Sequence, residues 1–101
     1  MYIDISRFEW DSDKARRNSV KHGVGFKEAA SAFDDPDYFV TGDPLHSQAE
    51  ERHWLIGKSM TLRVLVIAFT VRSGPSIRLI SARPAGPQEK MIYEENLGFP
   101  F

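Results

Sequence analysis

Residues 62–83 read LRVLVIAFTVRSGPSIRLISAR. The first eleven, 62–72, form the longest β-branched apolar run of the chain and predict a strand. Ser73, Gly74 and Pro75 supply a turn, and 76–83 predict a second strand. Upstream, RHWLIG (52–57) reads as a strand and YFVT (38–41) as a shorter one. Gly42 and Pro44 punctuate the loop between these two. Short connections between consecutive strands favour an antiparallel meander.

Helices flank this block. Asp11 is placed to cap a helix over 12–22, because its carboxylate accepts from otherwise unpaired N–H groups. Gly23 ends that helix where a left-handed residue is wanted. Phe26, Ala29, Ala30 and Phe33 fall at i, i+3, i+4 and i+7 and predict a second helix over 26–33, closed by Asp34, Asp35 and Pro36. FEWD (8–11) is a short strand or lead-in. Pro87 suits the first turn of a last helix. The expected fold is α+β: two N-terminal helices, a three- to four-stranded antiparallel sheet and a C-terminal helix. The helices are expected to cover one sheet face in a two-layer domain.

At 101 residues the chain makes one domain, 1–101. It has 42% hydrophobic and 27% charged residues, an ordinary folded balance. With no cysteine there is no disulfide framework and no thiolate metal site. No apolar run approaches the roughly 18 residues that span a bilayer, and MYIDISRFEW lacks the apolar core of a signal peptide. A cytoplasmic protein without membrane contact is expected. Net charge is −1, so nucleic acid would have to meet a local basic patch.

On a helical projection of 85–97, Glu89 falls among Ala85, Ile92, Tyr93 and Leu97. A carboxylate there needs a cation. Arg83, at the strand exit, is the expected partner. Uninterrupted alternation puts Arg83 on one face with Ile77, Leu79 and Ser81, and Arg78, Ile80 and Ala82 on the other. The pair is either a structural tie or part of a site. Lys14, Arg17 and Lys21 make a basic stripe at i, i+3 and i+7, suited to phosphates or simply to solvent. His22 sits in the last helical turn, where capping is its ordinary role. Arg52, Arg63, Arg72 and Arg78 lie on the meander, and their planar donors suit phosphate oxygens. His22, His46 and His53 lack a local metal spacing, so no metal and no other cofactor is expected. GxSxG, P-loop and GxGxxG patterns are absent.

Several stretches resemble the BrnT family of type II toxins: KHGVGFKEAASAFDDP (21–36), EERHWLIG (50–57) and ISARPAGPQEKMIYEE (80–95). The similarity extends from about residue 8 to residue 95. Its most specific pattern joins Ser81, Ala82, Arg83, Ala85, Glu89, Tyr93 and Glu94. The resemblance implies a RelE-like fold and a ribonuclease that arrests translation. It also implies an antitoxin of the BrnA type, with a ribbon-helix-helix region, through which alone operator DNA is engaged. Carried over by position, Lys21, His22, Arg83, Glu89 and Tyr93 are the expected catalytic residues. Lys14, Arg17, Arg52 and Arg63 are the expected RNA-binding residues. Arg83 is expected to hold the scissile phosphate, Glu89 or His22 to take the proton, and Tyr93 to stack on a base or bond Glu89. The chain departs from the family after Arg83, where Pro84, Gly86, Pro87 and Gln88 stand in place of basic residues. A toxin-like binding module without catalysis, acting in an antitoxin–DNA complex, is the alternative. An interaction domain unrelated to RNA is a third reading. The apolar tail LGFPF (97–101) is expected against its own core or under the antitoxin.

Overall fold

The segment 62–83 forms the two strands predicted, and three more join them. In the structure, a computed structural model describing residues 5–43, 51–72 and 76–97, the strands are β1 (Phe8–Glu9), β2 (Phe39–Gly42), β3 (Arg52–Lys58), β4 (Val64–Val71) and β5 (Ile77–Pro84). The readings of the 73–75 turn, of Pro44 and His46, and of the tail beyond Leu97 lie outside the described residues. Sheet order is β1-β5-β4-β3-β2. β2 to β5 are the antiparallel meander. The fifth strand is β1, which runs parallel to β5 with Phe8 opposite Ile77 and Glu9 opposite Arg78. The short strand or lead-in expected at 8–11 is this strand, confined to its first two residues.

Helix α1 (Ser12–His22) has the predicted limits. Asp11 Oδ1 accepts from the backbone N–H of Asp13 and Lys14 at 2.9 and 3.0 Å. Gly23 adopts φ 69°, and its N–H donates to the Ser19 carbonyl at 2.8 Å. Helix α2 (Phe26–Ser31) is shorter than expected and tightens into a 3-10 turn over Ala32–Asp34. Helix α3 (Pro87–Asn96) starts on Pro87.

The two-layer expectation is corrected. Residues of β3, β4 and β5 (Leu55, Leu65, Ile67, Phe69, Leu79, Ala82) pack with Val24, Phe26, Ala29 and Ala30 on one face of the sheet. On the other face Ile56 and Val66 pack with Ala85 and Tyr93 of the α3 region. Helices therefore cover both faces. The reason is legible in β4: Leu65, Val66, Ile67 and Ala68 are all buried, so apolar side chains leave the strand on both sides and both need cover. A chain of edge-to-face rings, Phe8–Phe33 at 5.0 Å and Phe33–Phe69 at 5.1 Å, ties β1 to the first face.

The alternation expected of β5 is corrected too. Ala68 pairs with Ser81, but Phe69 pairs with Leu79, so Ile80 is an extra residue. Ile77, Leu79 and Ala82 join the core under α1 and α2. The phase flips at Ile80, and Arg83, opposite Val66, emerges on the α3 face with Ser81.

Candidate nucleic-acid site

Arg83 and Glu89 are joined side by side. Arg83 Nη1 donates to Glu89 Oε1 at 3.0 Å and Nη2 to Oε2 at 3.1 Å. Glu89 Oε1 also accepts the Gly86 N–H at 2.7 Å, closing the first turn of α3. The Arg83 bonds, followed by that N–H, hold the Glu89 carboxyl below its ordinary range. The same pairing raises Arg83. A guanidinium has five N–H donors. Glu89 takes one from each terminal nitrogen, and the Pro84 carbonyl lies 3.4 Å from Nη1. The Nε–H and the second Nη2 hydrogen have no partner among the described residues, and together they match two phosphate oxygens. The Arg83 side chain is 38% exposed.

A second group of cations stands at the outer edge of β5. Lys14, Arg17, Asn18, Lys21 and His22 of α1, with Ile80 and Ser81, line an open cavity of about 330 Å³. Lys14, Arg17, Lys21 and His22 make no side-chain hydrogen bond or salt bridge among the described residues. Their basic wall is therefore open to an anion. Ser81 lies in this cavity, and Arg83 is two residues further on the same sheet face, roughly 7 Å along the strand.

Asn18 fixes the wall to the sheet. Only Ile77 and Arg78 of β5 are paired by β1, which leaves the edge open at Ala82. The Asn18 amide fills that gap. Its Nδ2 donates to the Ala82 carbonyl at 2.8 Å and to the Val24 carbonyl at 3.0 Å, and its Oδ1 accepts the Ala82 N–H at 3.1 Å. Asn18 is 8% exposed.

Three expected residues stand apart. The Tyr93 hydroxyl donates to Asp35 Oδ2 at 2.6 Å rather than to Glu89, and the side chain is buried. Burial first, and the Asp35 carboxylate second, push its pKa up. Arg63 is held by Glu28, with Nε to Oε2 at 3.0 Å and Nη2 to Oε1 at 2.6 Å, and reaches the Gly23 carbonyl at 2.9 Å. Arg52 opposes Thr70 in the sheet, four residues along β3 from Ile56, which is level with Val66 and Arg83. That offset is roughly 13 Å. Among the described residues, no three His, Asp or Glu side chains converge on a metal position.

The sequence reading missed three polar anchors: the buried Asn18 and Asp35 and the part-buried Glu28. Glu28 Oε2 accepts from Ser59 Oγ at 2.7 Å, Thr61 Oγ1 at 2.6 Å and Arg63 Nε at 3.0 Å, bracing the β3–β4 turn. Arg63 is the main cause that lowers its pKa to about 2. Asp35 Oδ2 accepts the Lys58 N–H at 2.7 Å as well as Tyr93, and Oδ1 accepts the Asp37 N–H at 2.9 Å. Burial pushes the Asp35 carboxyl up, but these donors outweigh it and leave it lowered. Only Asn18 carried a sequence signal, since asparagine is a poor choice for a helix interior unless its amide has work elsewhere.

The fold is a small α+β domain with an exposed guanidinium on β5 and, two residues away along the strand, a cavity walled by cations, groups whose chemistry suits an anion. Residues 10–89 match the family model described as the ribonuclease toxin BrnT of type II toxin–antitoxin systems, and this chain belongs to that family. The crystal structure of the Brucella abortus ribonuclease toxin BrnT is similar, with TM-score 0.64 and 25% identity over 78% of this chain and 95% of that one. No curated protein matches the sequence. Membership makes this chain a toxin of a type II system, with an antitoxin as partner.

Proposed function

We propose that this chain is a metal-independent endoribonuclease that cuts cytoplasmic RNA and so arrests translation. A BrnA-type ribbon-helix-helix antitoxin neutralises it, and operator DNA is reached only through that antitoxin. The observation that carries the catalytic reading is Arg83, locked by Glu89 with two parallel donors left open, two residues along β5 from Ser81 in the cavity of the basic wall.

RNA cuts itself when its 2′-hydroxyl, giving up its proton, attacks the adjacent phosphorus in line and the bond to the 5′-oxygen breaks, leaving a 2′,3′-cyclic phosphate and a 5′-hydroxyl that has taken up a proton. The protein's task is to orient the strand, neutralise phosphate charge and move protons. Arg83 binds the scissile phosphate and stabilises charge as the fifth bond to phosphorus forms. Glu89, acidified by its contacts, is a weak base and acts as the clamp on Arg83. His22 lines the cavity, and its imidazole can accept or donate a proton there. Lys14, Arg17 and Lys21 draw in the phosphate backbone. Tyr93 acts at a distance by seating α3, and Arg63 by bracing the turn beside Gly23. Arg52 serves only a strand long enough to cross the sheet.

The test is cleavage of a mixed-sequence RNA by pure protein in the presence of a chelator, alongside Arg83→Ala. Cutting by the wild type and loss of it in the variant is expected. Equal cutting by both sinks the Arg83 assignment. Absence of cutting by the wild type supports the alternative of a non-catalytic module, which the loss of basic residues at Pro84, Gly86, Pro87 and Gln88 favours.

A further inference from the structure

We propose that the site grips two neighbouring phosphates of one strand, one on the α1 wall and one on Arg83, and that Asn18 is the positioning residue that sets their separation. The proposal rests on the nuclease reading for its kinetics, but not for its binding.

Asn18 stands inside the wall: Lys14, Arg17, Lys21 and His22 are its neighbours at i−4, i−1, i+3 and i+4. Both amide hydrogens and the amide oxygen are spent on backbone, and two of the three bonds go to Ala82. Ala82 directly precedes Arg83. The wall is thus registered to the strand one residue from the guanidinium, as a paired strand would be. From the other side Glu89 fixes the guanidinium itself. Ser81, which lines the cavity of the wall, and Arg83 stand two strand residues apart on one sheet face, roughly 7 Å and on the scale of one nucleotide step. Strict in-line attack tolerates little misplacement, so a contact one step from the reacting atoms contributes by fixing register. The preferred substrate is then an oligonucleotide carrying a phosphate next to the scissile one.

The experiment compares dinucleoside monophosphates with the same dinucleotides bearing one added terminal phosphate. The added phosphate on one end is expected to raise kcat/KM at least tenfold, and Lys14→Gln with Lys21→Gln to abolish that gain. Asn18→Ala, scored as folded by circular dichroism, is expected to bind uncleavable 2′-O-methyl RNA with an unchanged salt slope. Its turnover of bound RNA should fall at least tenfold and its cut positions should spread. Should Asn18→Ala fail to fold, Asn18→Gln, with its amide on a longer stem, carries the same readouts. No gain from the added phosphate overturns the two-phosphate grip even if RNA is cut. A change in KM alone in the Asn18 variants overturns the positioning role. If the wild type cuts nothing yet binds the two-phosphate ligand more tightly, the nuclease reading fails and the grip stands.

Discussion

The Tyr93 hydroxyl meets the Asp35 carboxylate at 2.6 Å, across 58 residues of chain. This bond, with the Lys58 N–H on the same oxygen, joins α3 to β3 and to the turn after α2. Tyr93→Phe leaves a buried carboxylate short of a donor. It should lower unfolding free energy by about 1–3 kcal/mol, read from urea midpoints at constant m. Tyr93→Ala also opens a cavity under α3 and should cost about 3–5 kcal/mol.

Acid should destabilise the domain through Glu28. Its folded pKa of about 2 lies below the ordinary glutamate value of 4.5, so the unfolded chain binds the proton more tightly. The stabilisation is complete above about pH 4.5 and is lost as pH falls toward 2. Asp35 and Glu89, also lowered, act with the same sign. At one pKa unit per about 1.4 kcal/mol, Glu28 contributes up to roughly 3 kcal/mol. Melting temperature against pH should show a flatter acid limb in Glu28→Gln.

Arg83 and Glu89 should separate kinetically. Arg83→Lys keeps charge but loses the planar fork. It should not restore cleavage lost in Arg83→Ala. Glu89→Gln keeps a carbonyl for the Gly86 N–H but weakens the clamp, so cleavage should fall while the shape of the pH–rate profile stays. A base would instead show a loss of roughly 10²–10⁴-fold together with loss of one limb of the profile. Such a result would move Glu89 from clamp to base.

Leu62 holds φ 67° in the β3–β4 turn and is 78% exposed. A left-handed backbone costs a branched side chain about 1–2 kcal/mol, and this side chain regains nothing by burial. Leu62→Gly should therefore raise stability by about 0.5–1 kcal/mol, measured by chemical denaturation.

The limits of α1 were readable because Asp11 and Gly23 each satisfy a specific backbone need. The Arg83–Glu89 pair was readable because a lone carboxylate in an apolar stripe demands a cation. The face on which they meet was not. Ile80 is an apolar residue in an apolar strand, and nothing in its identity marks it as the extra one. Tyr93 was assigned to the site from its place in a motif, whereas its partner, Asp35, is distant in sequence and had been read only as part of a helix stop. Glu28 was hidden for a similar reason. One carboxylate on a short helix looks solvated until three donors from a remote turn converge on it.

The pairing of β5 carries information that its composition does not. Were Ile80 taken into the ladder opposite Ala68, the strand would run as a regular pleat, with the guanidinium turned inward among Leu65 and Ile67 and the Ala82 methyl outward. The site is right side out because one residue is left out of the pairing: deleting Ile80 would keep Ser81, Ala82 and Arg83 opposite Ala68, Ile67 and Val66, whereas pairing it would turn the site inside out.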